Sequence, residues 1–193
     1  MSNFLPDNYE QPQGGGAYTK LKAGENRIRI ISNSIVGWLG WTTDKKPVRV
    51  AMDQKDLVSN RGDLQPDSKV KHFWTFLIWN YQTDQIEIFE ISQYSIQESI
   101  MGLYKSSDWG DPKSYDMTIT KTGESLETKY AVQGSPKSQF EASKVKALFH
   151  ENPININALF ENEDPFELDD VLKSTIVQKF DSEFYDLPFS SPS

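Results

Sequence analysis

The side-chain alternation along residues 70–91 restricts the fold more than any other feature of the sequence. Residues 70–81 and 85–91 are rich in aromatic and β-branched side chains, and only three residues separate them. Short runs of this kind joined by a tight turn are typical of a β-hairpin. We therefore expect this hairpin at the centre of a β-sheet.

The segment before the hairpin also alternates. Residues 27–31 place basic and apolar side chains in turn, which indicates a strand with one buried face. We expect this strand to continue to Trp41, bent or bulged at Gly37 and Gly40, because a glycine inside a strand often marks a bulge or a barrel corner. Residues 46–52 are its predicted partner.

A helix and a second hairpin follow the first hairpin. Between residues 92 and 104, apolar side chains recur at spacings of three and four, which predicts an amphipathic helix. Residues 115–121 and 126–133 alternate again on either side of a glycine-containing turn. If residues 46–52 are counted only as the partner of the first strand, the order is three strands, a helix and two strands. That is the order of the five-stranded Greek-key barrel called the OB-fold. We therefore expect a mainly β chain, built as a five-stranded OB-fold barrel with a helix between strands 3 and 4.

Acidic side chains are concentrated at the end of the chain. Residues 151–193 contain 2 basic and 10 acidic side chains, whereas residues 1–150 contain 18 of each, so the final segment carries the whole net charge of −8. We predict a flexible arm at residues 1–16, the barrel domain at residues 17–150, and an acidic, largely disordered tail at residues 151–193. A neutral barrel can still present a basic groove, because phosphate binding depends on local charge.

The residue inventory excludes several classes of site. Cysteine is absent and the only histidines are His72 and His150, which excludes disulfides, thiolate nucleophiles and multi-histidine metal sites. No apolar run is long enough to cross a bilayer, so we expect a cytoplasmic protein with no membrane partner. We also expect no metal and no cofactor. A magnesium-dependent nuclease using Asp53, Asp56 and Asp63 is a rival interpretation. No general base, nucleophile elbow or phosphate loop accompanies these acids, so we do not expect an enzyme.

The body of the chain resembles a known family. Residues 18–133, with YDMTIT at 115–120 followed by TKY at 128–130, resemble bacteriophage-encoded single-stranded DNA-binding proteins, whose usual fold is the OB barrel. The resemblance implies binding of single-stranded DNA, in the host cytoplasm if a phage encodes the chain.

The acidic segment carries a second and sharper resemblance. A short motif in it is similar to the acidic tip, ending in Asp-Ile-Pro-Phe, by which bacterial single-strand binding proteins recruit partners. Its residues are Phe184, Tyr185, Asp186, Leu187, Pro188 and Phe189. Four residues follow the last phenylalanine here, so that residue does not carry the terminal carboxylate. The resemblance implies recruitment of replication or repair proteins; a solubilising tail, or a tail that competes with DNA for its own domain, are the alternatives.

Binding a single strand without reading its sequence requires cations for the phosphates and exposed aromatic rings for the bases. The candidate phosphate contacts are Lys20, Lys22, Arg27, Arg29, Lys45, Lys46, Arg49, Lys69, Lys71 and Lys121. The candidate stacking residues are Trp38, Trp41, Trp74, Trp79, Tyr81 and Tyr130. Arg27 and Arg29 leave the same face of one strand and are the favoured exposed pair. The core is the favoured place for Trp74, which leaves Trp79 and Tyr81 free on the opposite face.

These features predict sequence-independent binding of single-stranded DNA during replication, recombination or repair. The alternative is an OB-fold module that binds proteins in a replication complex without binding DNA itself, because a fold does not fix function. Exposed strand edges can pair with those of a second chain, so a homo-oligomer is a further alternative.

Overall fold

One antiparallel sheet of seven strands dominates the fold, which confirms a mainly β chain. The computed structural model of the chain describes residues 17–136 and 138–184. The strands are β1 (Gly24–Ile30), β2 (Ile35–Trp41), β3 (Pro47–Ala51), β4 (Lys71–Asn80), β5 (Gln85–Ile91), β6 (Asp116–Thr122) and β7 (Lys129–Ser135).

Four α-helices and several short 3-10 helices connect or cover these strands in the described ranges. The α-helices are α1 (Lys55–Ser59), α2 (Tyr94–Lys105), α3 (Ala142–Glu151) and α4 (Asp170–Glu183). The 3-10 helices are Met52–Gln54, Pro112–Ser114, Ser125–Glu127 and Ile156–Phe160. Over the part of the chain that the structure describes, every helix is too short or too polar to cross a membrane.

The strand order is β3-β2-β4-β1-β6-β7, and β5 pairs with the other edge of β4. β1 and β2 follow one another along the same edge of β4. Ile30 lies opposite Ile78, and Ile35 lies opposite Thr75. The single bent strand expected here is therefore two strands, interrupted at residues 31–34.

The glycines of β2 permit close packing and do not form the expected bulge. β2 and β3 pair in unbroken register, from Gly37 opposite Ala51 to Trp41 opposite Pro47. A Cβ atom on Gly37 would lie 2.0 Å from the carbonyl oxygen of Val50. Only glycine fits at this position without moving the β3 backbone.

The predicted five-stranded barrel is wrong in strand number and in closure. The predicted partner strand is present as β3, and the predicted first strand is divided into β1 and β2, so the described sheet has seven strands. The outer edge of β5 is occupied at Ile88, because the Thr19 N–H donates to the Ile88 carbonyl at 2.8 Å and the Ile88 N–H donates to the Ala17 carbonyl at 2.7 Å. Among the described strands β7 therefore pairs only with β6, and the sheet remains open. The helix expected between the hairpins is present as α2.

Two hydrophobic cores bury β4 and β5 on both faces. The first core lies beside α2 and includes Ile78, Phe89 and Met117. The second lies on the opposite face and joins Trp79 and Ile88 to side chains of α3 and α4. Burial on both faces explains why the apolar run of β4 is nearly continuous.

The first part of the acidic segment, residues 151–184, is folded. Phe149 of α3 stacks on Phe180 of α4 with ring centroids 3.8 Å apart, and Phe184 stacks on Phe180 at 4.9 Å. Residues 151–184 are therefore not the largely disordered tail that the sequence indicated. Apolar side chains at spacings of three and four in α4 pack on the domain, while its acidic residues Asp170 and Asp181 remain exposed. The predicted arm at residues 1–16 and the remaining tail lie outside the described residues.

Candidate nucleic-acid interface

The favoured arginines do not form an exposed basic pair. β1 lies beside β6 with Arg29 opposite Asp116. The Asp116 carboxylate accepts hydrogen bonds from Arg27 Nη2 at 2.8 Å and Nε at 3.1 Å, and it lies 3.4 Å from Arg29 Nη1. The side chains of Arg29 and Asp116 are fully buried, and that of Arg27 is 37% exposed. The prediction of an exposed Arg29 is wrong, and Arg27 is held by the carboxylate.

Tyr81 and the segment after β7 complete this buried cluster. The Tyr81 hydroxyl and Ser138 Oγ each donate a hydrogen bond to Asp116 Oδ1 at 3.0 Å. The Phe140 ring centroid lies 4.8 Å from Arg29 Cζ. Burial lowers the pKa of the Arg29 guanidinium, which the charge of Asp116 opposes, and burial raises the pKa of Tyr81. Tyr81 is therefore a partner of Asp116 and not a free stacking residue.

Two further candidates lie inside the protein. Trp79 is 3% exposed in the second core, because α3 and α4 cover the face that was expected to be free. Lys144 of α3 lies above it, with Nζ 5.2 Å from the ring centroid. Arg49 is buried and donates from Nε to Glu90 Oε2 at 2.6 Å. Neither Trp79 nor Arg49 is placed to contact a nucleic acid.

The remaining candidate cations are spread over several elements. The exposed lysines of the set are Lys20, Lys22, Lys45, Lys46, Lys69 and Lys71. They lie before β1, in the turn between β2 and β3, and at the start of β4, so no single strand or turn groups them. Lys121 is half-buried and donates to the backbone carbonyl of Leu21 at 3.4 Å. Tyr130 is half-buried against the first core.

Three aromatic rings do form a row across β2 and β4. Trp38 lies opposite His72 and Val36 opposite Trp74 in antiparallel register, so these side chains leave the same face of the sheet. The ring centroids of Trp38 and His72 are 5.4 Å apart, and those of His72 and Trp74 are 6.5 Å apart. All three rings are partly exposed. We call Trp38, His72 and Trp74 the aromatic row.

The Trp74 end of the aromatic row opens into a cleft of about 540 Å³. The cleft lies where the chain is interrupted between β1 and β2, and Tyr104 of α2, which is 56% exposed, lines its apolar wall with Trp74. Its polar end contains Asn33 and Lys113. The Lys113 ammonium donates to Asn33 Oδ1 and lies 3.8 Å from Asp111 Oδ2.

The Trp38 end of the aromatic row carries a cation. Lys55, the first residue of α1, places Nζ 4.1 Å from the centroid of the Trp38 ring. The Trp38 Nε1–H donates to the Met52 carbonyl at 3.1 Å, which fixes the ring beside α1. Trp41, by contrast, leaves the opposite face of β2 and is 40% exposed.

Sequence reasoning found part of this surface. It named Trp38 but not His72, Tyr104 or Lys55, and it favoured the core for Trp74, which is half-buried and lines the cleft. Residues 36 and 38 leave one face of their strand, as do residues 72 and 74 of theirs. Once these two strands are known to pair, this alternation predicts that Trp38, His72 and Trp74 share a face. No comparable signal brings Lys55 to Trp38, because this contact depends on how the loop after β3 folds.

Neighbouring ring planes in the aromatic row are tilted by 60° and 88°, so each ring offers a separate face to a planar group, and the exposed Lys55 at the Trp38 end can approach negative charge. Lys113 at the other end is buried and held by Asn33 and Asp111. Unpaired bases stack on exposed aromatic rings, and stacking tolerates every base because each has a π-face. Comparison of the chain with protein-family models, with curated proteins and with solved structures found no match. The function is therefore inferred from this surface and from the fold.

Proposed function

We propose that the protein binds single-stranded DNA without sequence preference, in the cytoplasm, during replication, recombination or repair. The observation that carries the proposal is the aromatic row, whose rings are partly exposed beside a cleft. Each base stacked on an aromatic side chain contributes about 1 to 3 kcal/mol. Bases of a duplex are already stacked and paired, so this surface favours single strands.

The topology supports the same proposal. If β1 and β2 are one interrupted strand, the chain runs through β4 and β5, then α2, then β6 and β7, the strand-helix-strand order of an OB-fold. In that scheme β3 is an additional edge strand and the barrel is left open. We therefore propose an open OB-type sheet, related to the phage single-stranded DNA-binding proteins that the sequence resembles.

The tail is proposed to recruit replication or repair proteins. Tyr185, Asp186, Leu187, Pro188 and Phe189 of the motif lie outside the described residues. Phe184, the first residue of the motif, is half-buried against Phe140 and Phe180. Recruitment is therefore proposed for the residues after Phe184, whereas Phe184 itself anchors the end of α4.

Tryptophan fluorescence during titration with oligo-dT tests DNA binding. We expect quenching by the single strand, weakened by salt, and little response to a duplex of the same length. Trp38→Ala should lower the affinity about 5- to 150-fold, which corresponds to the loss of one stacked base. Trp41→Ala is the matched control, because it removes an exposed tryptophan from the opposite face of the same strand.

Two results would contradict the proposal. The first is an equal response to single strands and duplexes. The second is the absence of any binding, which would favour the alternative, an OB-type module that binds proteins at the same apolar face. In that case Trp38→Ala should weaken capture of a protein partner instead.

A further inference from the structure

Lys55 is a cation that the prediction of the DNA site did not include. It lies at the start of α1, is exposed, and places its ammonium 4.1 Å from the centre of the Trp38 ring. The Trp38 edge is fixed at the same time by its hydrogen bond to the Met52 carbonyl. The ring is therefore held in place while the cation above it is free to move with its flexible side chain.

We propose that Lys55 occupies the stacking face of Trp38 in the free protein and transfers to a DNA phosphate when a base takes its place. This inference rests on the proposed function. It adds a binding residue and a sequence of contacts: ammonium on the ring before binding, base on the ring and ammonium on the phosphate after binding.

The chemistry favours such an exchange. A cation over an exposed indole ring is held by the ring quadrupole alone, and that attraction is weak in contact with water. A stacked base covers the same ring with a larger planar surface, and its own phosphate brings a negative charge to which the ammonium can transfer. Lys55 forms no salt bridge with a carboxylate among the ion pairs of the described residues, so no acid has to be displaced.

The salt dependence of DNA binding measures this phosphate contact. Each phosphate neutralised on a single strand contributes about 0.7 to the slope of log affinity against log salt. We expect Lys55→Met, which retains the aliphatic stem, to reduce the slope by about 0.7. Between 50 and 200 mM salt, the parent should then lose about 2.6-fold more affinity for oligo-dT than the variant.

Two further variants separate this role from a general loss of charge. Lys55→Arg retains a cation and should retain the parent slope. Lys129→Met removes one exposed lysine from β7, at the opposite edge of the sheet from β2 and β3, and should reduce the slope less than Lys55→Met.

A Lys55→Met slope equal to the parent slope, with oligo-dT binding intact in both proteins, would overturn the role of Lys55 and leave the proposed function standing. An equal reduction in Lys129→Met would also overturn it, because the effect would then be non-specific. Failure of the parent protein to bind oligo-dT would overturn both proposals.

Discussion

Arg29 Nη1 lies 3.4 Å from Asp116 Oδ1 at a place where neither side chain reaches solvent. The same carboxylate also accepts hydrogen bonds from Arg27 and Tyr81, so a single negative charge holds several donors. Removing one partner of a buried ion pair leaves an uncompensated charge in the interior. We therefore expect Asp116→Asn to lower the free energy of unfolding by about 3 to 5 kcal/mol, measured by urea denaturation.

The exposed pair of Arg61 and Asp63 provides the control for this prediction. Its charged atoms approach to 2.6 Å, closer than those of Arg29 and Asp116, but both side chains are open to solvent. Exposed ion pairs contribute little because water screens them. Asp63→Asn should leave the urea midpoint unchanged, and an equal loss of stability in both variants would show that burial of Asp116 is not the cause.

The stacking of Phe149 on Phe180 makes α4 part of the fold. Phe180 is 4% exposed, and truncating a buried phenylalanine costs about 3 to 5 kcal/mol. We expect Phe180→Ala to lower the unfolding free energy by this amount. Val171→Ala, in the same helix at an exposed position, should change it by less than about 0.5 kcal/mol. Thermal unfolding followed by circular dichroism measures both, and similar melting temperatures for the two variants would show that α4 does not stabilise the domain.

Tyr115 predicts how stability changes at high pH. Burial raises the pKa of Tyr115 above its ordinary value of 10.0, and the charge of Asp111 adds to the effect. The folded protein therefore keeps a proton that the unfolded chain releases above pH 10, so this contribution is present below pH 10 and is lost as the pH rises further. We expect Tyr115→Phe to make the urea midpoint fall less steeply than in the parent above that pH.

Tyr94→Phe is the matched control for the alkaline transition. Tyr94 is 73% exposed on α2, and its substitution should leave the pH dependence of the urea midpoint as in the parent. If Tyr115→Phe also leaves it unchanged, proton release from Tyr115 does not contribute to alkaline unfolding.

The strands could be predicted from the sequence because alternation depends on neighbours along the chain. The hairpin of β4 and β5, the helix α2 and the pair of β6 and β7 all lie close to where the pattern placed them. Closure of the sheet could not be predicted in this way. Closure depends on residues 17–19, which pair with β5 at Ile88 although their sequence pattern does not indicate a strand.

The faces of the strands were harder to assign than the strands themselves. Alternation predicted that Arg27 and Arg29 leave the same face of β1, and that Trp79 leaves the face of β4 opposite to Trp74. Both predictions are confirmed. Whether a face is covered depends on distant segments: Asp116 and Phe140 cover Arg29, and α3 and α4 cover Trp79. The final segment was predicted to be largely disordered because of its acidic composition, although α4 contains apolar residues that pack on the domain.

Gly37 links the fold to the candidate DNA site. Its Cβ would meet the Val50 carbonyl oxygen at 2.0 Å and Phe73 Cε1 at 3.1 Å, so Gly37→Ala must displace β3 or β2. Overpacking of this kind costs about 1 to 3 kcal/mol. Because Trp38 is the next residue of β2, we expect Gly37→Ala to lower both the urea midpoint and the affinity for oligo-dT.

Gly102→Ala is the matched control for Gly37→Ala. Gly102 lies in α2, and a Cβ there meets nothing within 4 Å. Alanine favours a helix over glycine by about 0.5 to 1 kcal/mol, so this variant should raise the urea midpoint and leave the affinity for oligo-dT unchanged. If Gly37→Ala lowers stability but binds oligo-dT as tightly as Gly102→Ala does, the position of β2 does not determine the binding surface, and the aromatic row is not where the strand binds.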